Sequence, residues 1–310
     1  MTKVFIDGSS GTTGLRIRER LYTRKDIELI ALDEARRKDA QARREAFQQA
    51  DVAFLCLPDA AAIEAVELAK DSGAVIIDTS TAHRTAEGWA YGMPELTGYR
   101  DRIAGAKFIA NPGCHASGFI ALVAPLVEKG LLAKDTLLTC FSLTGYSGGG
   151  KNMIAEYEAP QRSPLLNAPR QYALGQMHKH LKEMNVICGL EKAPVFCPIV
   201  ADFYSGMEVT VPLFRNDLRG TMEDVRRIYA EYFPGPLIHF KEAADEKGFL
   251  SAAAFTGRDD MEITVTGNDD RILLVSRFDN LGKGASGAAI QNMNIVLGLA
   301  ETTGLVTETA

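Results

Sequence analysis

The sequence predicts an α/β protein: a Rossmann-type doubly wound parallel sheet, with an inserted α+β domain built on a mainly antiparallel sheet. Three observations carry this. Short apolar runs alternate with helical segments through about the first 115 residues. A glycine-rich turn follows the first of those runs directly. The middle of the chain then changes to longer strand-like runs before the end returns to a helix. Strand–helix alternation implies right-handed βαβ units and therefore a parallel sheet.

Lys3–Asp7 reads as a buried strand, and Thr13–Arg24 after the glycine turn as a helix. Ile27–Leu32 is a second strand, and the charged stretch Glu34–Gln49 reads as a helix with a solvated face. Val52–Leu57 is a third strand, stopped by Pro58-Asp59, and the alanine-rich Ala60–Lys70 is helical up to Gly73. Ala74–Asp78 is the fourth. In the middle, Thr136–Leu143, Val195–Val200, Met207–Leu213, Met261–Val265 and Ile272–Phe278 read as strands, with Met222–Tyr232 a helix between them. Ala285–Leu299 has apolar residues at helical spacing. The expected domains are 1–115, completed by the C-terminal segment 285–310, and 116–284.

A chain of 310 residues suits two such domains. Lys+Arg number 34 against 40 Asp+Glu, and this net −6 argues against a general nucleic-acid binder. The longest apolar stretch, Gly118–Val127, is far short of the roughly 20 residues that span a bilayer, and Pro125 interrupts it. The expectation is a chain with no membrane and no nucleic-acid partner. Five cysteines at 56, 114, 140, 188 and 197 form no CxxC pair, which points to free thiols in a reducing, cytoplasmic setting.

Gly8-Ser-Ser-Gly11-Thr-Thr-Gly14 lies between a strand and a helix. Glycines there let the backbone turn sharply and approach a pyrophosphate, which helix N-terminal N–H groups then bind. Gly8, Ser10, Gly11, Thr12, Thr13 and Gly14 are therefore candidate cofactor contacts. Asp33 stands 19 residues after Gly14, where an acid would bind the ribose of NAD. Arg36, Arg37 and Lys38 follow at once and suit the 2′-phosphate of NADP, so these residues leave the choice open.

Asn111-Pro112-Gly113-Cys114 precedes an apolar helical run, so Cys114 falls in the first helical turn. There the dipole and free N–H groups favour the thiolate, and the same N–H groups, with the Asn111 amide, suit an oxyanion. Cys114 is the candidate nucleophile; the other four cysteines lie in or beside apolar runs. A thiolate needs a proton partner, and His178 and His180 alternate so as to face one direction. The pair also suits zinc, but no third and fourth ligands stand at recognisable spacing, so no metal is expected. His115 points about 100° away from Cys114 on a helix and makes a poor base. Thr144–Lys151 and Asn280–Gly287 are further glycine-rich stretches, the first with Lys151 for an anion and the second with small residues for a flat ring.

Taken together, GSSGTTG, Asp78-Thr-Ser80-Thr-Ala-His83-Arg84, NPGC, SGGGK, the HKH segment and the run at 280–294 resemble the shorter class of N-acetyl-γ-glutamyl-phosphate reductases. That family shares a wider fold group with aspartate-semialdehyde and glyceraldehyde-3-phosphate dehydrogenases. The resemblance spans essentially the whole chain. It implies Cys114 as nucleophile, His180 as base, and His178 as a substrate contact with Tyr172 nearby. It also implies NADP(H) bound by the first glycine loop, Ser80 and the loop at Asn280. The implied reaction is reduction of an acyl phosphate to the semialdehyde with release of phosphate, in arginine biosynthesis, by a homo-oligomer (dimer or tetramer). The chain departs from the longer class: SGGGK stands for SGAGR, Tyr204-Ser-Gly for NRG, and Leu181-Lys-Glu183 follows the histidine pair. Lys151, Arg162 and Arg170 are therefore only candidates for the substrate carboxylate. Two alternatives are an aspartate-semialdehyde dehydrogenase, and an NADP-binding redox sensor without turnover.

Overall fold

The computed structural model describes residues 1–307. The chain divides into two compact units, Met1–Pro112 with Ala285–Leu305, and Gly113–Gly284 with Val306 and Thr307. In the first unit, β1 (Thr2–Asp7), α1 (Thr12–Tyr22), β2 (Ile27–Ile30), α2 (Ala40–Gln49), β3 (Val52–Leu55), α3 (Asp59–Ala69) and β4 (Val75–Asp78) alternate strictly. They are followed by β5 (Ala90–Tyr91), α4 (Tyr99–Ala104), β6 (Phe108–Ala110) and the closing helix Gly287–Val296. The strands form one sheet in the order β2-β1-β3-β4-β6-β5, and every pairing is parallel. Both faces are covered, which is why its strands read as unbroken apolar runs. Ile17, Leu21, Ile103, Ile290 and Met293 pack on one side; Ala46, Phe47, Ala65 and Ala69 pack on the other.

Two elements differ from the sequence reading. The helix expected over 34–49 begins only at Ala40, because the Asp39 carboxylate accepts from Ala42 N at 2.7 Å and caps it there. Residues 34–38 form turns instead. The closing helix is shorter than 285–299, and a π-helical turn, Gly282–Ser286, precedes it.

In the second unit the elements run α5 (Cys114–Glu128), β7 (Thr139–Gly145), α6 (Gly150–Glu158), β8 (Arg170–Gln171), α7 (Leu181–Cys188), β9 (Val195–Ala201) and β10 (Met207–Phe214). They continue with α8 (Met222–Tyr232), β11 (Ile238–Phe240), β12 (Met261–Gly267) and β13 (Arg271–Phe278). The sheet order is β11-β12-β13-β10-β7-β9-β8, with only β11–β12 and β7–β9 parallel. Residues of α5 from His115 to Leu126 are buried, so this is a core helix lying against β10 and β13. Side chains alternate between the two faces of a strand. Val209 and Val211 are buried, and the opposite face carries the row Thr264, Val275, Thr210, Phe141 and Cys197.

Candidate active site

In the first unit the chemistry gathers at the C-terminal end of β1. Gly8 has φ +86°, and a Cβ there would lie 2.3 Å from the Cys56 carbonyl oxygen. Only glycine makes this turn. α1 starts at Thr12 with Gly11 as N-cap and no capping side chain, which leaves its first N–H groups for an anion. A cavity of about 380 Å³ opens beside the turn, and Ser10, Arg18, Arg37 and Lys38 line it with Gly8 and Ser9. Arg37 reaches Ser10 Oγ at 3.5 Å. The late start of α2 thus leaves Arg37 and Lys38 in a turn that faces this cavity. A buried ion pair backs the loop: the Arg43 guanidinium donates twice to Asp7, at 3.0 and 2.9 Å.

In the second unit Cys114 is the first residue of α5, half-buried, and Gly113 caps the helix without any side chain. The N–H groups of residues 114–116 therefore point outward at the positive end of the dipole. Burial pushes the thiols of Cys56 (up to about 12), Cys140 and Cys188 upward, so these three are held protonated. Gly284 passes against Cys114, where a Cβ would meet the cysteine Cβ at 3.0 Å. Gly282 likewise passes against the Arg258 carbonyl, so both glycines are required by close packing.

A cluster of rings lies at the same helix end. His178 and His180 have ring centroids 4.7 Å apart, and His115 sits 5.4 and 5.5 Å from them. His115 bridges Ser142 Oγ (2.6 Å) and the Tyr172 hydroxyl (2.7 Å). Burial, then the neighbouring His178, lowers its pKa to about 3, so His115 stays neutral. Desolvation, rather than the angular offset on the helix, makes it a poor base. Burial and the nearby Cys114 raise the Tyr172 phenol above its usual range, so Tyr172 remains a neutral hydroxyl. Glu183 is buried; its Oε2 accepts from Gly113 N at 3.2 Å, and its Oε1 lies 4.0 Å from His180 Nε2. The carboxylate thus braces both the N-terminus of α5 and His180. The i,i+3 spacing from His180 was a signal the sequence reading left unused.

Other candidates are engaged elsewhere. Arg162 donates to both Asp202 oxygens (2.8 and 2.5 Å), to Asn167 and to the Tyr157 carbonyl. Its terminal N–H groups are committed to the fold, which removes it as a carboxylate clamp. Arg170 likewise holds the Tyr157 hydroxyl. Asn111 Nδ2 donates to the Ala285 carbonyl and its Oδ1 accepts from Asn292, so the amide ties β6 to the closing helix rather than facing an oxyanion. Lys151 is exposed on the first turn of α6. The Ser80 hydroxyl donates to Asp78, which also bonds His83, and His83 stacks on Trp89 at 4.1 Å. Asn280 is bonded to Ser147 Oγ and Gly206 N, so its side chain secures the turn after β7 rather than reaching outward. Among the described residues no three His, Cys, Asp or Glu side chains gather as a metal site would require, and no helix is long and apolar enough to cross a membrane.

Family models match both units: "semialdehyde dehydrogenase, NAD binding domain" over residues 3–106 and "semialdehyde dehydrogenase, dimerisation domain" over 114–280. N-acetyl-gamma-glutamyl-phosphate reductase 2 of Nostoc sp. is 45% identical over 98% of this chain and 99% of its own length. The chain belongs to the semialdehyde dehydrogenase family. The N-acetyl-gamma-glutamyl-phosphate reductase of Brucella suis is also 45% identical, over 96% of this chain and 99% of its own. Among solved semialdehyde dehydrogenases, aspartate semialdehyde dehydrogenase II of Vibrio cholerae aligns with TM-score 0.72 at 16% identity, covering 96% of this chain and 98% of that one. The enzyme from Candida albicans, solved with NADP, aligns at 0.69 and 18% over the same shares. The semialdehyde dehydrogenase fold is therefore present in both units, and the relatives at 45% identity place this member among the N-acetyl-γ-glutamyl-phosphate reductases.

Proposed function

We propose that this chain reduces N-acetyl-γ-glutamyl phosphate to N-acetylglutamate 5-semialdehyde with release of phosphate, using NADPH and a Cys114 thioester, as a step of arginine biosynthesis in the cytoplasm. The observation that carries the mechanism is a half-buried cysteine at an uncapped helix N-terminus beside a braced histidine pair. Cys114 Sγ attacks the acyl carbon, the bond to the phosphate oxygen breaks, and phosphate leaves with the bonding pair. The outward N–H groups of α5 hold the carbonyl oxygen as it gains charge. When bound, NADPH would supply the hydride that reduces the thioester carbon, leaving the former carbonyl oxygen as an oxyanion whose electron pair re-forms the C=O bond as the C–S bond breaks. His180 gives its proton to Sγ as the C–S bond breaks and the aldehyde departs, then takes it back to regenerate the thiolate. A groove of about 460 Å³ lined by Tyr172, Met177, His178 and Lys179 beside this machinery suits the rest of the acyl chain.

The first unit fits the cofactor because the Gly8 turn and the bare start of α1 suit a pyrophosphate, while Arg18, Arg37 and Lys38 line the adjoining cavity. Arg37 and Lys38 would hold the 2′-phosphate. Arg37→Ala with Lys38→Ala should raise the KM for NADPH at least about 10-fold and leave that for NADH nearly unchanged, since charge-assisted bonds are each worth about 1.5–3 kcal/mol. Equal losses for both cofactors would refute the assignment. The accessible part of the outer row, Thr210, Phe141 and Cys197, is the face we assign to a second copy, in keeping with the family's dimerisation domain.

The deciding experiment is NADP- and phosphate-dependent oxidation of N-acetylglutamate semialdehyde beside aspartate semialdehyde, with the mass in solution measured by light scattering. Preference for the acetylated substrate and a mass of two or four chains are expected. A preference for aspartate semialdehyde, or no turnover of either, would overturn the reading.

A further inference from the structure

The segment that carries His178 and His180 leaves β8 at the edge of the second sheet. β8 pairs antiparallel with β9, Arg170 opposite Val200 and Gln171 opposite Ile199. Tyr172 N still donates to the Pro198 carbonyl at 3.0 Å. In that register residue 174 would stand opposite Phe196, but the backbone turns away, and Leu174 is 75% exposed. The Gln176 side chain takes the vacated place. Its Nε2 donates to the Phe196 carbonyl and its Oε1 accepts from Phe196 N, both at 2.8 Å. A primary amide offers one donor and one acceptor in a plane, as a peptide group does, so it continues the edge ladder in place of a strand residue.

One backbone bond closes the turn, Gln176 N donating to the Ala173 carbonyl at 3.0 Å, but its backbone is strained. Ala173 (φ +52°) and Gln176 (φ +54°) both lie in the left-handed region, which side-chain-bearing residues disfavour and which persists only where surroundings enforce it. Met177 is 91% exposed and so anchors nothing. The two Gln176 bonds fasten the segment to β9 two residues before His178, whose ring packs on Phe196 at 5.1 Å. Beyond it, His180 N donates to His178 Nδ1 at 3.2 Å, and α7 begins at Leu181. The histidine pair is thus held between a helix start and the Gln176 clamp.

We infer that Gln176 is a positioning residue for His180: its side-chain amide replaces the missing edge-strand residue opposite Phe196 and fixes the loop that carries the histidine pair. The inference rests on the reading that His180 moves the proton at Cys114. Misplacement of a catalytic group by about 1 Å costs on the order of 100-fold in rate, so the clamp should appear in kcat.

The test is a double-mutant cycle in the full-length enzyme with Gln176→Met and His180→Asn. Gln176→Met keeps the length and loses both bonds. It should lower kcat at least about 10-fold, with KM for the acyl substrate within about threefold, a melting midpoint lowered by a few degrees at most and an unchanged rate of Cys114 alkylation by iodoacetamide. In the His180→Asn background the same change should cost almost nothing further. Gln176→Asn, one methylene too short to reach both Phe196 groups, should repeat the loss and serves if the methionine variant does not fold. A kcat within twofold of wild type in the variant that folds, or losses that multiply in full, would overturn the positioning role. If His180→Asn itself keeps wild-type turnover, the role of His180 fails and the inference falls with it.

Discussion

Cys114→Ser should leave a folded protein that has lost NADP-linked, phosphate-dependent turnover by about four orders of magnitude or more, the scale on which removal of a covalent nucleophile acts. The fold should survive because Cys114 is the first residue of α5, half-buried, and the change is nearly isosteric. Chemistry should not survive. A thiol is partly ionised near neutrality and is brought further by a helix N-terminus, whereas a serine hydroxyl stays protonated there and is a far weaker nucleophile and leaving group at the acyl carbon. His115 cannot rescue it, being neutral with a pKa near 3 and bonded through both ring nitrogens to Ser142 and Tyr172. The measurement is twofold: steady-state rates with the acetylated semialdehyde, and mass spectrometry of the enzyme mixed with acyl phosphate in the absence of NADPH. Wild type should carry one acyl group on Cys114 and the variant none. Acylation at another cysteine, or normal turnover by the variant, would sink the covalent scheme.

The first unit was legible because its determinants are local. Each central strand is a short apolar run, buried on both faces and cut off by Gly, Pro or Asp, and the turn at Gly8 follows from glycine alone. The start of α2 departs from the sequence pattern for a local reason too. Arg36, Arg37 and Lys38 are sound helix formers, yet the Asp39 side chain captures Ala42 N and sets the boundary beyond them. In the second unit the Pro-Gly-Cys junction announced a helix start, and the HxH spacing announced a pair. What the pair touches was not legible, because it depends on chain segments far apart. Ser142 of β7 and Phe196 of β9 meet His115 and His178 only once the parallel β7–β9 ladder has formed. Arg162 reads as a carboxylate candidate in the sequence because its partner Asp202 lies 40 residues away. The partners of Asn280 are equally remote in sequence, Ser147 and Gly206. Spacing identifies reactive residue types, and long-range pairing decides which of them are still available.

His180→Asn should lower kcat about 10²- to 10⁴-fold, the usual reach of a positioned proton donor, and Glu183→Gln should reproduce part of that loss through His180. The substituted amide would still accept from Gly113 N, so the start of α5 keeps its brace. It would carry no charge, however, and the negative group 4.0 Å from His180 Nε2 would be gone. A neighbouring carboxylate favours the protonated imidazole. Without it the proton is released at lower pH, so the alkaline limb of the kcat profile should move toward acid while the fold persists. The direction distinguishes this from simple damage, which would lower the whole profile without displacing it. Because Glu183 acts through His180, adding Glu183→Gln to His180→Asn should change little, as expected for groups in one unit. A profile that keeps its position, or a double variant whose losses multiply, would mean that the buried carboxylate braces Gly113 and nothing more.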